Sequence, residues 1–189
     1  DEPLSNLDAK LRNQMRSELI KLRQRIDTTF VYVTHDQTEA MTLGDRIVIM
    51  RDGFVQQIGT PQQVFNHPAN LFVAGFIGTP QMNFFNARLL EQGGRYSVEV
   101  FDTVFELADR EQERLRQKNQ KPGAITLGIR PEHIELAQPG SPRSIKSKVD
   151  VSELMGSEMH LHVDVNGIAA VLRVTTPERP EEYYTDAGH

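Results

Sequence analysis

The chain has 189 residues, 38% of them apolar, with a net charge of −5 and no cysteine. That length suits one large domain or two small ones, and the missing cysteines exclude a disulfide framework and a thiolate metal site. No stretch approaches the roughly 18–20 apolar residues of a membrane span, no basic-then-apolar leader opens the chain, and neither residues 1–78 nor 79–189 carry the excess of Lys and Arg expected of a phosphate-tracking nucleic-acid binder.

The chain opens on Asp rather than Met, so a cut or processed product is expected. After Asp1-Glu2-Pro3-Leu4-Ser5-Asn6-Leu7-Asp8, the apolar residues Leu11, Met15, Leu19, Leu22 and Ile26 recur at helical spacing. That pattern predicts one helix over roughly 9–26, with Asp8 as its N-cap. The β-branched and aromatic run Thr29–Val33 predicts a buried strand ending just before His35. Asp36 and Glu39 have the spacing of a capping box for a short helix, about 37–43. Arg46–Met50 and Phe54–Ile58 are strand-like runs joined through Asp52-Gly53, a hairpin signal. Thr60-Pro61-Gln62-Gln63 supplies an N-cap, a first-turn Pro and a capping glutamine, and a further short helix is expected over 70–76.

Gly75, Gly78 and Pro80 mark a break, and a domain boundary is expected near 78–83. Beyond it, segments 84–90, 95–101, 103–107, 124–130, 145–154, 158–165 and 168–174 are short and β-rich. Turn pairs such as Gly93-Gly94, Pro139-Gly140 and Asn166-Gly167 separate them. This predicts a small barrel or sandwich. The charged run 109–120 reads as a surface helix or loop with a solvated face.

Few residues carry chemistry. An Asp-Glu pair alone is ordinary surface solvation. Adjacent side chains at a strand end point different ways, so one carboxylate can face a metal while its neighbour orients an attacking water. A His after a buried strand is commonly structural. At the C-terminal end of a parallel strand it can instead reach a ligand. Ser5, Asn6 and Asp8 form a turn and a cap. His160 and His162 share a strand face without an evident third metal ligand, and Arg130 and Glu132, flanking Pro131, read as a structural turn or a subunit contact.

Taken in order, these motifs resemble an ATP-binding subunit of an ABC transporter of the carbohydrate-importer, maltose/multiple-sugar type. The residues that carry the resemblance are Asp1-Glu2 with Pro3–Asp8, Thr34–Met41, Gln57–Pro61, Pro68–Gly78, Met82–Phe84 and Gly128-Ile129-Arg130-Pro131-Glu132-His133. The fold it implies is α/β over 1–80, the C-terminal portion of a P-loop NTPase sheet, followed over 81–189 by an all-β, OB-like regulatory barrel that continues past Tyr183–His189. By the resemblance, Asp1 is the metal carboxylate and contacts the cofactor. Glu2 is the catalytic glutamate, and His35 is the switch histidine, both catalytic and nucleotide-contacting. Ser5, Asn6 and Asp8 belong to the loop that meets the opposite subunit.

The resemblance further implies ATP and Mg²⁺ as cofactors, a homodimer, membrane permease partners, a cytosolic regulatory protein, and a cytoplasmic place on the inner membrane face, with no nucleic acid. The 189 residues contain no Gly-x-x-x-x-Gly-Lys-[Ser/Thr] loop and no Leu-Ser-Gly-Gly-Gln signature. They are therefore expected to be inactive alone. The alternative is a non-catalytic regulatory and dimerising module.

Overall fold

The computed structural model describes residues 1–138 and 141–176, in two compact units, Asp1–Thr79 and Pro80–His189. The expected turn at Pro139-Gly140 and the continuation at Tyr183–His189 lie outside the described residues. No described helix is long and apolar enough to cross a membrane.

The first unit opens with a turn and then α1 (Ala9–Arg25), whose first-turn Leu11 amide is capped by the Asp8 carboxylate at 3.0 Å. None of its residues is buried: Leu11, Met15 and Leu22 are exposed, as is Ile26 at its C-terminal cap. A helical stripe is covered only where a second layer stands against it. α2 (Gln37–Leu43) follows, then the hairpin β1 (Ile47–Arg51) and β2 (Phe54–Gly59). Asp52 and Gly53, with φ of 52° and 81°, make the two-residue loop whose twist matches that of the strands. α3 (Pro61–Asn66) begins with a complete capping box between Thr60 and Gln63, and α4 (Leu71–Phe76) is capped by Asn70. The core is Ile47, Ile49, Val64, Val73 and Ile77. Gln37 ties α2 to the chain beyond α4, donating to the Phe76 carbonyl and accepting the Gly78 amide.

Two expectations are corrected here. Residues 29–33 form no strand, and Phe30, Val31 and Val33 are exposed, Val31 to 89%. A strand exists only as part of a ladder, and this segment's Val33 carbonyl meets just the Glu2 amide, at 2.8 Å. The expected Asp36–Glu39 box is half made. The Asp36 carboxylate caps the Thr38 and Glu39 amides (2.7 and 3.1 Å), but the Asp36 amide donates to Thr34 Oγ1, and Glu39 turns inward.

The second unit holds two antiparallel sheets. β3 (Asn83–Gln92), β4 (Arg95–Val100), β5 (Thr103–Glu106) and β6 (Gly123–Ile129) are ordered β5-β4-β3-β6. β7 (Lys148–Leu154), β8 (Glu158–Val165) and β9 (Ile168–Thr175) form a three-stranded meander. β8 alternates strictly, so Met159, Leu161, Val163 and Val165 point inward against Phe85, Val100, Ala170 and Leu172. One side-chain amide joins the sheets: Asn83 donates to the Val171 carbonyl and accepts the Val171 amide, both at 2.8 Å. The charged run becomes α5 (Asp109–Gln117), and its expected solvated face has an exception. Gln112 is 2% exposed, donating to the Tyr96 carbonyl and accepting the Tyr96 amide at 2.7 Å each. Its amide occupies the edge of β4 next to the point where pairing with β5 stops, at Ser97–Glu106.

Candidate functional site

The site is built around the turn that begins the chain. Glu2 adopts φ of 45°, a backbone region that non-glycine residues seldom enter. Three hydrogen bonds hold it there. Its amide donates to the Val33 carbonyl, and its carbonyl accepts from both the Ser5 amide (3.2 Å) and the Ser5 hydroxyl (3.0 Å). The carboxylate is thereby aimed across to the 29–35 segment, where Glu2 Oε1 lies 2.9 Å from His35 Nδ1.

His35 is held in place from its other side. Asp36 caps α2, and Thr34 Oγ1 bridges the Asp36 amide (3.0 Å) and Glu39 Oε2 (2.8 Å). Glu39 is 3% exposed and also accepts the Tyr32 hydroxyl at 2.9 Å. Burial, then the Glu39 carboxylate that accepts its proton, pushes the Tyr32 phenol up to about 12. The hydrogen bond that His35 donates to the Glu2 carboxylate, then the Glu2 charge, raises the His35 pKa above its ordinary value; desolvation opposes this, and the charges of Asp36 and Glu39 add to it.

Glu2, Ser5, Arg12, Thr34, His35, Asp36 and Glu39 line one pocket of about 30 Å³. That leaves room for ordered water, surrounded by enough polar groups to hold it. A carboxylate, an imidazole and a hydroxyl facing one such space can orient a water and take up its proton. The pocket does not fit a nucleotide, and no group of three His, Cys, Asp or Glu side chains among the described residues is arranged to hold a metal.

The expected site residues therefore divide. Glu2, His35 and Ser5 come together. Asp1 and Asn6 are exposed and do not line the pocket, and Asp8 is occupied as the cap of α1. Sequence reasoning missed Arg12, Thr34 and Glu39. Arg12 left a signal: it lies near the positive end of the α1 dipole, where a cation is disfavoured without another reason to be there, and no acidic residue occupies that first turn. In the second unit, His160 and His162 each face a different carboxylate, Glu158 at 3.6 Å and Glu153 at 3.0 Å. Arg130 is 5% exposed just before the 3-10 turn Pro131–His133, and burial lowers its pKa against the opposing charge of Glu132.

Residues 78–134 match the MalK OB fold domain and residues 127–185 the TOBE domain. Along both units the chain is similar to ABC-transporter ATP-binding proteins. It is 47% identical over 178 residues to the oligosaccharides import ATP-binding protein MsmX of Bacillus subtilis, an alignment of 92% of this chain and 48% of that protein. It is 47% identical over 173 residues to the putative uncharacterized ABC transporter ATP-binding protein YcjV of Escherichia coli K12 (92% of this chain, 47% of YcjV). It is also 47% identical over 163 residues to the osmoprotective compounds uptake ATP-binding protein GgtA of Synechocystis (84% and 43%). The chain thus spans about half the length of the curated relatives it matches.

Proposed function

We propose that this chain is part of the ATP-hydrolysing subunit of an ABC importer that energises uptake of sugars or oligosaccharides. The observation that carries the reading is the Glu2–His35 pair, 2.9 Å apart at a small polar pocket with room for water, in a chain similar to proteins named for oligosaccharide import and osmoprotective-compound uptake. Glu2 accepts a proton from the attacking water, and His35 fixes the Glu2 carboxylate and reaches the nucleotide. Asp1 is the metal carboxylate, and Ser5, Asn6 and Asp8 face the opposite subunit. Bound Mg²⁺ and ATP supply the phosphoanhydride and neutralise its charge. These residues supply no cradle for the phosphates, so the 189-residue chain is inactive by itself. In the whole protein we assign residues 1–80 to the nucleotide-binding domain and 81–189 to an OB-like regulatory domain. The assembly is a homodimer bound to permease subunits on the cytoplasmic membrane face and open to a cytosolic regulator.

Calorimetric titration with Mg-ATP and a phosphate-release assay test this. The 189-residue chain is expected to show neither tight binding nor turnover. A longer protein carrying a phosphate loop is expected to hydrolyse ATP and to lose that activity in Glu2→Gln. Micromolar binding or Glu2-dependent turnover by the chain alone would refute its inactivity, and undiminished turnover of the longer Glu2→Gln protein would refute the site.

The alternative, a non-catalytic regulatory and dimerising module, is favoured for the second unit by its self-contained core and its match to two OB-type domains.

A further inference from the structure

We propose that Arg12 is a positioning residue that clips the turn bearing Glu2 to the segment bearing His35, and so sets the geometry of that pair; this rests on reading Glu2 and His35 as the site. Three contacts carry the assignment. Arg12 Nη2 donates to the Leu7 carbonyl at 3.0 Å and to the Ser5 carbonyl at 3.4 Å. Arg12 Nη1 lies 3.8 Å from Asp36 Oδ2. Nε is buried without a hydrogen-bond partner, so the guanidinium accepts an unsatisfied donor in order to span both segments.

The contacts close a ring. Arg12 holds the carbonyl of Ser5, Ser5 holds the carbonyl of Glu2 through its amide and hydroxyl, the Glu2 carboxylate meets His35, and Asp36, the next residue, returns to Arg12. Each contact alone is weak and partly exposed. Together they keep Glu2 in its left-handed backbone conformation, which relaxes if the turn is released. A planar fork can reach two carbonyls and a carboxylate at fixed angles, whereas a lysine ammonium presents a single mobile charge.

The role has a signature that a nearby charge lacks. His35 faces Glu2, Asp36 and Glu39, with Arg12 the cation in the same pocket. If Arg12 acted only through its charge, its removal would favour protonated His35 and raise the His35 titration midpoint. If Arg12 positions Glu2, its removal loosens the Glu2–His35 bond and lowers that midpoint toward the ordinary histidine value of about 6.5.

The experiment is an NMR pH titration of the 189-residue chain, reading His35 in wild type, Arg12→Ala and Arg12→Lys. It needs no nucleotide, so its failure is distinct from failure of the ATPase reading. Both variants are expected to lose more than half of the wild-type elevation of His35. A midpoint that rises or stays in Arg12→Ala, or a lysine variant that titrates like wild type, overturns the proposal. If Arg12→Ala does not fold, Arg12→Lys decides. Unfolding of both variants also overturns a local role, because a clip between two surface segments does not hold up the unit.

Discussion

At His35, an exposed imidazole gains its partner only because a backbone turn delivers Glu2 to it. Its folded-state pKa is raised, so protonated His35 contributes stability that is fully present below the ordinary histidine value of about 6.5. That contribution fades as pH rises through the higher folded value. Glu2→Gln removes the charge and weakens the hydrogen bond. The variant is expected to be less stable than wild type in acid-side denaturant titrations, and the two curves are expected to converge as pH rises past the folded His35 midpoint. A gap that widened toward alkaline pH would contradict the pairing. Asp36 and Glu39 show the limit of reading spacing. Their positions allowed a capping box, but Tyr32 and Thr34 both donate to Glu39 Oε2, and a buried carboxylate with two donors outweighs one reciprocal backbone contact at a helix end.

Among the elements of the second unit, two side-chain amides complete what the strands leave open. Asn83 serves Val171 where β3 meets the other sheet, and Gln112 serves Tyr96 at the edge of β4. Both supply a donor and an acceptor in the spacing of a peptide group, so buried backbone groups stay paired without a further strand. Replacing Gln112 with Leu keeps the bulk and leaves the Tyr96 amide and carbonyl unpartnered. With a penalty of about 1–3 kcal/mol for each buried unmade bond, the loss in urea-unfolding stability is expected to be about 2–6 kcal/mol. Gln112→Glu is expected to fall between, since a carboxylate still accepts the Tyr96 amide but cannot donate to its carbonyl. A Leu variant as stable as wild type would mean that water reaches the edge.

Over the whole molecule, both units leave large apolar side chains exposed, Val151, Leu154 and Met155 among them in the second. The second unit encloses a core between two sheets. The first leaves Phe30, Val31, Phe54 and Leu71 more than half exposed, along with the outer face of its hairpin at Val48 and Met50. Surface of that kind favours association. Sedimentation of the 189-residue chain is expected to show a concentration-dependent dimer, and a strict monomer at high concentration would count against the dimerising role proposed for it.

The sequence by itself determined the local grammar. The periodicity of Leu11 to Ile26, the Asp8, Asp36 and Thr60 caps, the Asp52-Gly53 and Asn166-Gly167 turns, and the alternation of β8 are each encoded within a few neighbouring residues, and each lies in the structure where the pattern places it. Order and spacing also made Glu2 and His35 candidates. The tertiary structure alone decided the rest. Thr29–Val33 has every composition cue of a strand and is none, because a ladder needs a neighbour that no propensity supplies. Gln112 sits in a charged run yet is buried, because Tyr96, sixteen residues earlier in the chain, needs its amide. Arg12 and Asp36 are twenty-four positions apart and become partners only when the turn and the 29–35 segment fold beside each other. Caps and turns are settled by contacts within a few residues, whereas edges, buried polar groups and the site's positioning cation depend on which distant segment arrives opposite them.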